Sequence, residues 1–241
     1  MNLKRYGPLH ENASPYPEDL EGLCEGSVIY CIGAGEVIDH AKEIAKKLKC
    51  NAYIIDPTPH VINYVKKNGG NELITIPCAV GCVNSLAKFY KPNHKDTCKD
   101  KNNNFDHSLL EDLHGNPEYI YVQVKTIQSI MKELDHKKLG ILEIDLGGPR
   151  EVTEGKVRIP ECEALEDLML SKIFPKYLSV DLDFGHKKSE SISSYGLKGN
   201  YAGNKKAISA RNKCLKTINL LEKNNYRVIH NSSENYTFMR A

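Results

Sequence analysis

Short runs of consecutive apolar residues alternate along the chain with stretches in which apolar positions recur every three or four residues. That alternation predicts strands followed by helices. Ser27–Ile32 (SVIYCI) reads as a buried strand, and Glu36–Leu48 (EVIDHAKEIAKKL) as an amphipathic helix with Val37, Ile38, Ala41, Ile44, Ala45 and Leu48 inward. Ala52–Ile55 is a second strand. Pro59–Lys67 is a second helix, capped by Thr58 with Pro59 at its first position, and Leu73–Val80 is a third strand. Gly140–Ile144 and Tyr177–Leu182 are two more strands. A long helix, Asn204–Lys223, precedes a hairpin of Tyr226–His230 with Tyr236–Arg240 around Asn231-Ser232-Ser233-Glu234. The order predicts a Rossmann-like α/β fold, a doubly wound and mostly parallel sheet with an antiparallel C-terminal hairpin.

Two segments break the rhythm. Lys91–Asn104 is polar, and Gly185–Lys206 carries Gly185, Gly196, Gly199, Gly203 and four serines. Long loops inside compact domains are often substrate loops or lids. The chain therefore reads as a single domain, 1–241, with an N-terminal extension at 1–26 and insertions at 84–119 and 185–206.

Composition narrows the partners. The chain has 241 residues, 40% of them hydrophobic, which supports a sizeable core. Its 33 basic and 31 acidic side chains are evenly spread and leave a formal charge of +2, so a nucleic-acid partner is not expected. No apolar run approaches the ~18 residues of a membrane helix, and the basic N-terminus lacks the apolar segment of a secretory signal. The eight cysteines form no C-x-x-C pair, and Cys78 and Cys82 have no histidine pair at zinc spacing beside them. Free thiols in a reducing cytoplasm are the expectation.

The sharpest local signal is Ile29-Tyr30-Cys31-Ile32-Gly33-Ala34-Gly35-Glu36, where the first strand meets its helix. Two glycines allow a tight turn and close approach of a ligand to the backbone. Asp56 follows Gly33 by 23 residues, at the carboxyl end of the second strand, where a carboxylate can accept both hydroxyls of a ribose. The same spacing serves NAD, but a dinucleotide site usually has a third glycine for close helix packing, and that position is Ile38. A mononucleoside such as S-adenosylmethionine fits better than a pyrophosphate.

The run IYCIGAGEVIDHAKEIAKKLKCNAYIIDPTP resembles the FkbM-type S-adenosylmethionine-dependent methyltransferases. The resemblance continues through KFYKP, YVQVKTIQSIMKEL, ILEIDLGG and LLEKNNYRVIHNSSENYTFMR, and is weakest over Gly185–Lys206. It implies a class I methyltransferase fold and methyl transfer to a hydroxyl oxygen, most often of a sugar, a glycan or a related small molecule. It also implies that Gly33, Gly35 and Glu36 surround the amino-acid end of the cofactor and Asp56 holds the ribose. The Ala79-Val80-Gly81 turn would lie near the adenine, and Ile32, Pro57 and Asp145 would join the cofactor residues. One departure stands out: the family's acidic residue after Asp-Ile is Gly147 here.

Methyl transfer to an alcohol needs a base or a metal to remove its proton. Asp145 ends one strand, and Asp181-Leu182-Asp183-Phe184-Gly185-His186 ends the next. Two mechanisms fit. In one, His186 is the general base and Asp183 or Asp145 orients it. In the other, Asp145, Asp181 and Asp183 hold Mg²⁺ or a similar hard cation. Of the remaining histidines only His60, close behind Asp56, is a candidate to line the cofactor. His40 and the others show no ligand spacing. The rival readings are an NAD-dependent oxidoreductase, for which no catalytic set is found, and a non-catalytic cofactor-binding module, which Gly147 alone supports.

Overall fold

The computed structural model describes residues 1–6, 15–91, 109, 118–146, 150–153, 156–182, 205–232 and 235–241. Strands β1 (Leu3–Lys4) and β2 (Tyr16–Pro17) pair antiparallel ahead of β3 (Ile29–Ile32). Then come α1 (Asp39–Lys47), β4 (Ala52–Ile55), α2 (Pro59–Asn68) and β5 (Leu73–Ile76). A separate small sheet, ordered β6-β8-β7, is built from β6 (Ala79–Val80), β7 (Ser85–Tyr90) and β8 (Tyr119–Lys125). Helix α3 (Ile127–Glu133) leads back to β9 (Ile141–Ile144). The ribbon of β10 (Arg150–Thr153) and β11 (Lys156–Arg158) precedes α4 (Pro160–Leu170) and β12 (Tyr177–Asp181). Helix α5 (Lys205–Lys223) and the hairpin of β13 (Tyr226–Ser232) and β14 (Asn235–Arg240) follow.

The main sheet runs β13-β14-β12-β9-β3-β4-β5. Strands β12, β9, β3, β4 and β5 are parallel, and β14 is antiparallel to both β12 and β13. This is the doubly wound α/β fold expected, with its antiparallel C-terminal hairpin. All of β3 and all but the last residue of β12 are buried, because helices cover both faces. Side chains alternate between two cores. Tyr30, Ile32, Leu142, Ile144, Leu178 and Val180 pack with residues of α3, α4 and α5. Ile29, Cys31, Ile54, Ile141 and Tyr177 pack with α1, α2 and the N-terminal segment.

Several elements differ from expectation for local reasons. The single strand read over Leu73–Val80 is two strands in two sheets. Pro77 lies between them and, lacking an N–H, cannot continue the ladder, while Cys78 N–H turns back onto the Ile76 carbonyl (2.9 Å). Helix α1 starts at Asp39 rather than Glu36, because the preceding residues form a turn closed by Val37 N–H on Ala34 O (3.0 Å). Val37 is consequently 37% exposed instead of inward. Ser85–Tyr90, inside the expected insertion at 84–119, is a strand. The N-terminal extension is part of the core: Tyr6, Tyr16 and Leu20 are buried in the α1-side cluster, and Tyr177 donates its hydroxyl to Glu21 O (2.7 Å). Among the described residues no helix is long and apolar enough to cross a membrane.

Candidate cofactor site

The chain leaves β3 toward β4 and β5 on one side and later returns to β9 on the other, so sheet order reverses between β3 and β9. In open α/β sheets the crevice outside the strand carboxyl ends at such a reversal is where ligands bind. Ile32-Gly33 and Ile144-Asp145 form its floor. The strand ends are locked there: Gly33 N–H donates to Ile55 O (3.0 Å) and Asp145 N–H to Ile32 O (3.0 Å).

The two glycines do different things. Gly33 has φ +73°, and a Cβ on it would stand 1.7 Å from the Asp145 carbonyl oxygen. Its missing side chain lets β3 and β9 close together. Gly35 has φ +54°, and a Cβ there would have nothing within 4 Å. Gly35 is therefore the position whose bare backbone faces open space.

Asp56 is 5% exposed. Its Oδ1 accepts the Thr58 N–H (2.8 Å), and the carboxylate also accepts the Thr58 hydroxyl and the Gly35 N–H. Burial holds the carboxyl above the usual carboxylate range, and these three donors only partly offset that. Thr58 is the residue before α2, as expected, with Pro59 at the first helical position, but its side chain makes no cap bond. It serves Asp56 instead.

Glu36 and His60 meet at the crevice mouth, His60 Nε2 lying 2.9 Å from Glu36 Oε1, both partly exposed. Pro57 is half-buried beside Asp56. Ile32 and Val80 are buried in the same apolar cluster as Ile55 and Ile144, and Ala79 packs in the small sheet with Val122 and Val124. Asp145 is exposed at the end of β9, and Asp181 ends the neighbouring β12. Each directly follows a member of the register pair Ile144 and Val180. Asp183, His186 and Gly147 lie outside the described residues.

Two features escaped the sequence reading. Glu161, fully buried in the first turn of α4, accepts the Leu146 N–H (2.9 Å) and so anchors the chain just past Asp145. Glu143, inside β9, accepts the Tyr16 hydroxyl (2.5 Å) and pairs with His40 Nε2 (2.5 Å) and the Cys31 thiol. Burial works to raise the Glu143 carboxyl, but the charge and bond of His40, with the Tyr16 and Cys31 bonds, bring it below its ordinary value. The available signal was a lone acid in the apolar run ILEI, since a buried carboxylate requires partners.

At the start of α1, Ile38 is 2% exposed and occupies the place of a dinucleotide site's third glycine, and Asp39 follows as the first helical residue. An acidic side chain there takes up the positive helix end that a pyrophosphate would use.

No family model matches the chain, and no curated protein does. Among solved structures it is similar to one described as a caffeoyl-CoA O-methyltransferase from Staphylococcus aureus, with TM-score 0.44 and 9% identity over 89% of this chain and 76% of that one. It is similar to the SAH-bound Podospora anserina methyltransferase PaMTH1, with TM-score 0.44 and 8% identity over 89% and 72%. A SAM-dependent methyltransferase from Aquifex aeolicus gives TM-score 0.37 and 13% identity over 92% and 84%. Identities at this level carry no residue roles across.

Proposed function

We propose that the chain is an S-adenosylmethionine-dependent O-methyltransferase acting on a hydroxyl of a sugar, a glycan or a related small molecule. The observation that carries this reading is the pairing of Gly35 with Asp56 at the β3/β9 reversal: a backbone position with open space beside it and a buried carboxylate at the end of the next strand. Ile32, Gly33, Gly35 and Glu36 would border the amino-acid end, Asp56 and Pro57 the ribose, and Ala79 and Val80 the adenine side. Bound S-adenosylmethionine supplies an electrophilic methyl group on a sulfonium centre.

The chain's own task is to orient the acceptor hydroxyl and take its proton. His186 is the proposed base, with Asp183 and Asp145 orienting it. The alternative is a Mg²⁺ held by Asp145, Asp181 and Asp183. The occupied position 38 and the acid at 39 weigh against an NAD-dependent oxidoreductase.

A thermal-shift comparison tests the reading. S-adenosylhomocysteine at about 100 times its dissociation constant stabilises a binding protein by roughly 2.7 kcal/mol. A clear upward shift with it and none with NAD⁺ is expected. The opposite pattern would turn the reading toward the oxidoreductase, and no shift with either would leave a module without this cofactor.

A further inference from the structure

We propose that Cys31, His40 and Glu143 form a site for a borderline-soft divalent transition-metal ion, zinc foremost, on the α1 side of the sheet beneath the Gly33 turn. Cys31 on β3 and Glu143 on β9 are direct partners in the parallel register, and His40 descends on them from the first turn of α1. One sulfur, one nitrogen and one oxygen lie within 4.8 Å of one another. A tetrahedral zinc with bonds of about 2.0–2.3 Å sets its donors roughly 3.3–3.8 Å apart. Admitting the ion would open the 2.5 Å contact between His40 and Glu143 and draw the three donors to that spacing, a small adjustment for atoms already within 4.8 Å.

The donor set selects the metal. Thiolate, imidazole and carboxylate together suit zinc and discourage Mg²⁺ or Ca²⁺, which take oxygen donors. The carboxylate is already prepared for one-oxygen ligation, because the Tyr16 hydroxyl holds Oε1 (2.5 Å) while Oε2 faces the histidine. Such an outer partner commonly orients a ligand. His40 is hydrogen-bonded through Nε2, and its buried Nδ1 has no hydrogen-bond partner among the described residues. The ring is thus anchored by the oxygen it would share with the metal. Three protein ligands leave a fourth position for water.

A buried dication needs neutralising ligands, and a thiolate and a carboxylate supply two negative charges beside a neutral imidazole. The ion enters as the thiol proton, with any proton shared between His40 and Glu143, leaves to solvent, so the loaded site buries no net charge. The ion would tie α1, β3 and β9 together and, through Tyr16, the N-terminal segment. This site is separate from the acceptor-side aspartates and does not depend on the methyltransferase reading.

The test uses the full-length chain, stripped with chelator and titrated with Co²⁺ and Zn²⁺. Expected are one Co²⁺ per chain with a thiolate-to-cobalt charge-transfer band, displacement by Zn²⁺, and proton release on zinc binding by calorimetry in two buffers. Cys31→Ala and His40→Gln should each abolish the band, whereas Cys50→Ala and Cys82→Ala should keep it. If Cys31→Ala fails to fold by circular dichroism, His40→Gln alone decides. Absence of a band, or a band that survives His40→Gln or a folded Cys31→Ala, overturns the proposal. So does a band lost with Cys50→Ala or Cys82→Ala.

Discussion

Gly33 and Asp145 meet backbone to backbone, with no room between them for even a methyl group: a Cβ on Gly33 would stand 1.7 Å from the Asp145 carbonyl oxygen. Gly33→Ala must therefore push β3 and β9 apart at the crevice floor. It should lower the melting temperature by many degrees or prevent folding. Gly35→Ala meets open space and only the strain of a left-handed residue, about 1–2 kcal/mol. It should fold, yet place a methyl where the cofactor is proposed to lie and weaken S-adenosylhomocysteine binding by about tenfold or more. Equal stability of the two variants in a thermal melt would remove the distinction drawn between the glycines.

Asp56 couples stability and binding in opposite directions. Burial raises its folded pKa above the ordinary value of 3.8. An acid raised in this way contributes stability below its unfolded pKa and loses it as pH rises through the folded pKa. Asp56→Asn keeps an oxygen for Thr58 but carries no charge. Its melting temperature relative to the parent should therefore climb as pH rises above the ordinary carboxylate range, while cofactor affinity falls by roughly 1.5–3 kcal/mol for the lost charge-assisted bond. Asp56→Ala is a poorer probe, because it orphans the Thr58 and Gly35 N–H groups together. A pH-independent difference between the Asn variant and the parent would contradict a raised Asp56 pKa.

Tyr16→Phe separates the N-terminal segment from the sheet. It removes a donor to the buried Glu143 while keeping the ring packed edge-on against Tyr177. A buried acceptor deprived of a partner costs about 1–3 kcal/mol. Lys4→Ala, by contrast, breaks the exposed pair with Glu43 and should leave the melting temperature unchanged. Chemical denaturation of both variants checks this, and equal losses would mean that Tyr16 anchors nothing.

The periodic elements were legible because burial on both faces of a parallel sheet writes apolar runs such as IYCI and AYII directly into the chain. Their ends were less so. Whether 36–38 is helix or turn depends on the Gly33–Gly35 conformation, and only Pro77 marked the break between β5 and β6. The glycine turn and Asp56 were readable from spacing. That Thr58 and Gly35 share the Asp56 carboxylate was not, because the donors come from separate loops. The Cys31–His40–Glu143 cluster was hidden for a related reason. His40 lies nine positions after Cys31, and Glu143 comes from another strand altogether, so only the β3/β9 register brings them together.

The choice between base and metal on the acceptor side can be decided by kinetics once an acceptor is found, for which simple sugars and glycans with labelled cofactor are the first screen. If His186 is the base, His186→Ala should lose about 10²-fold or more in turnover with cofactor affinity kept. Activity of the parent should then fall on the acid side of about pH 6.5, where an ordinary imidazole becomes protonated. If Asp145, Asp181 and Asp183 hold Mg²⁺, EDTA should abolish turnover, and Asp145→Asn or Asp183→Asn should be nearly as damaging. Chelation alone is ambiguous, because EDTA would also strip zinc from a Cys31–His40–Glu143 site. The add-back resolves it: restoration by Mg²⁺ but not Zn²⁺ marks the oxygen-donor aspartates, and restoration by Zn²⁺ alone marks the thiolate cluster. Full activity of His186→Ala together with full activity in EDTA would exclude both routes and move the search for the base to Glu36 and Tyr195.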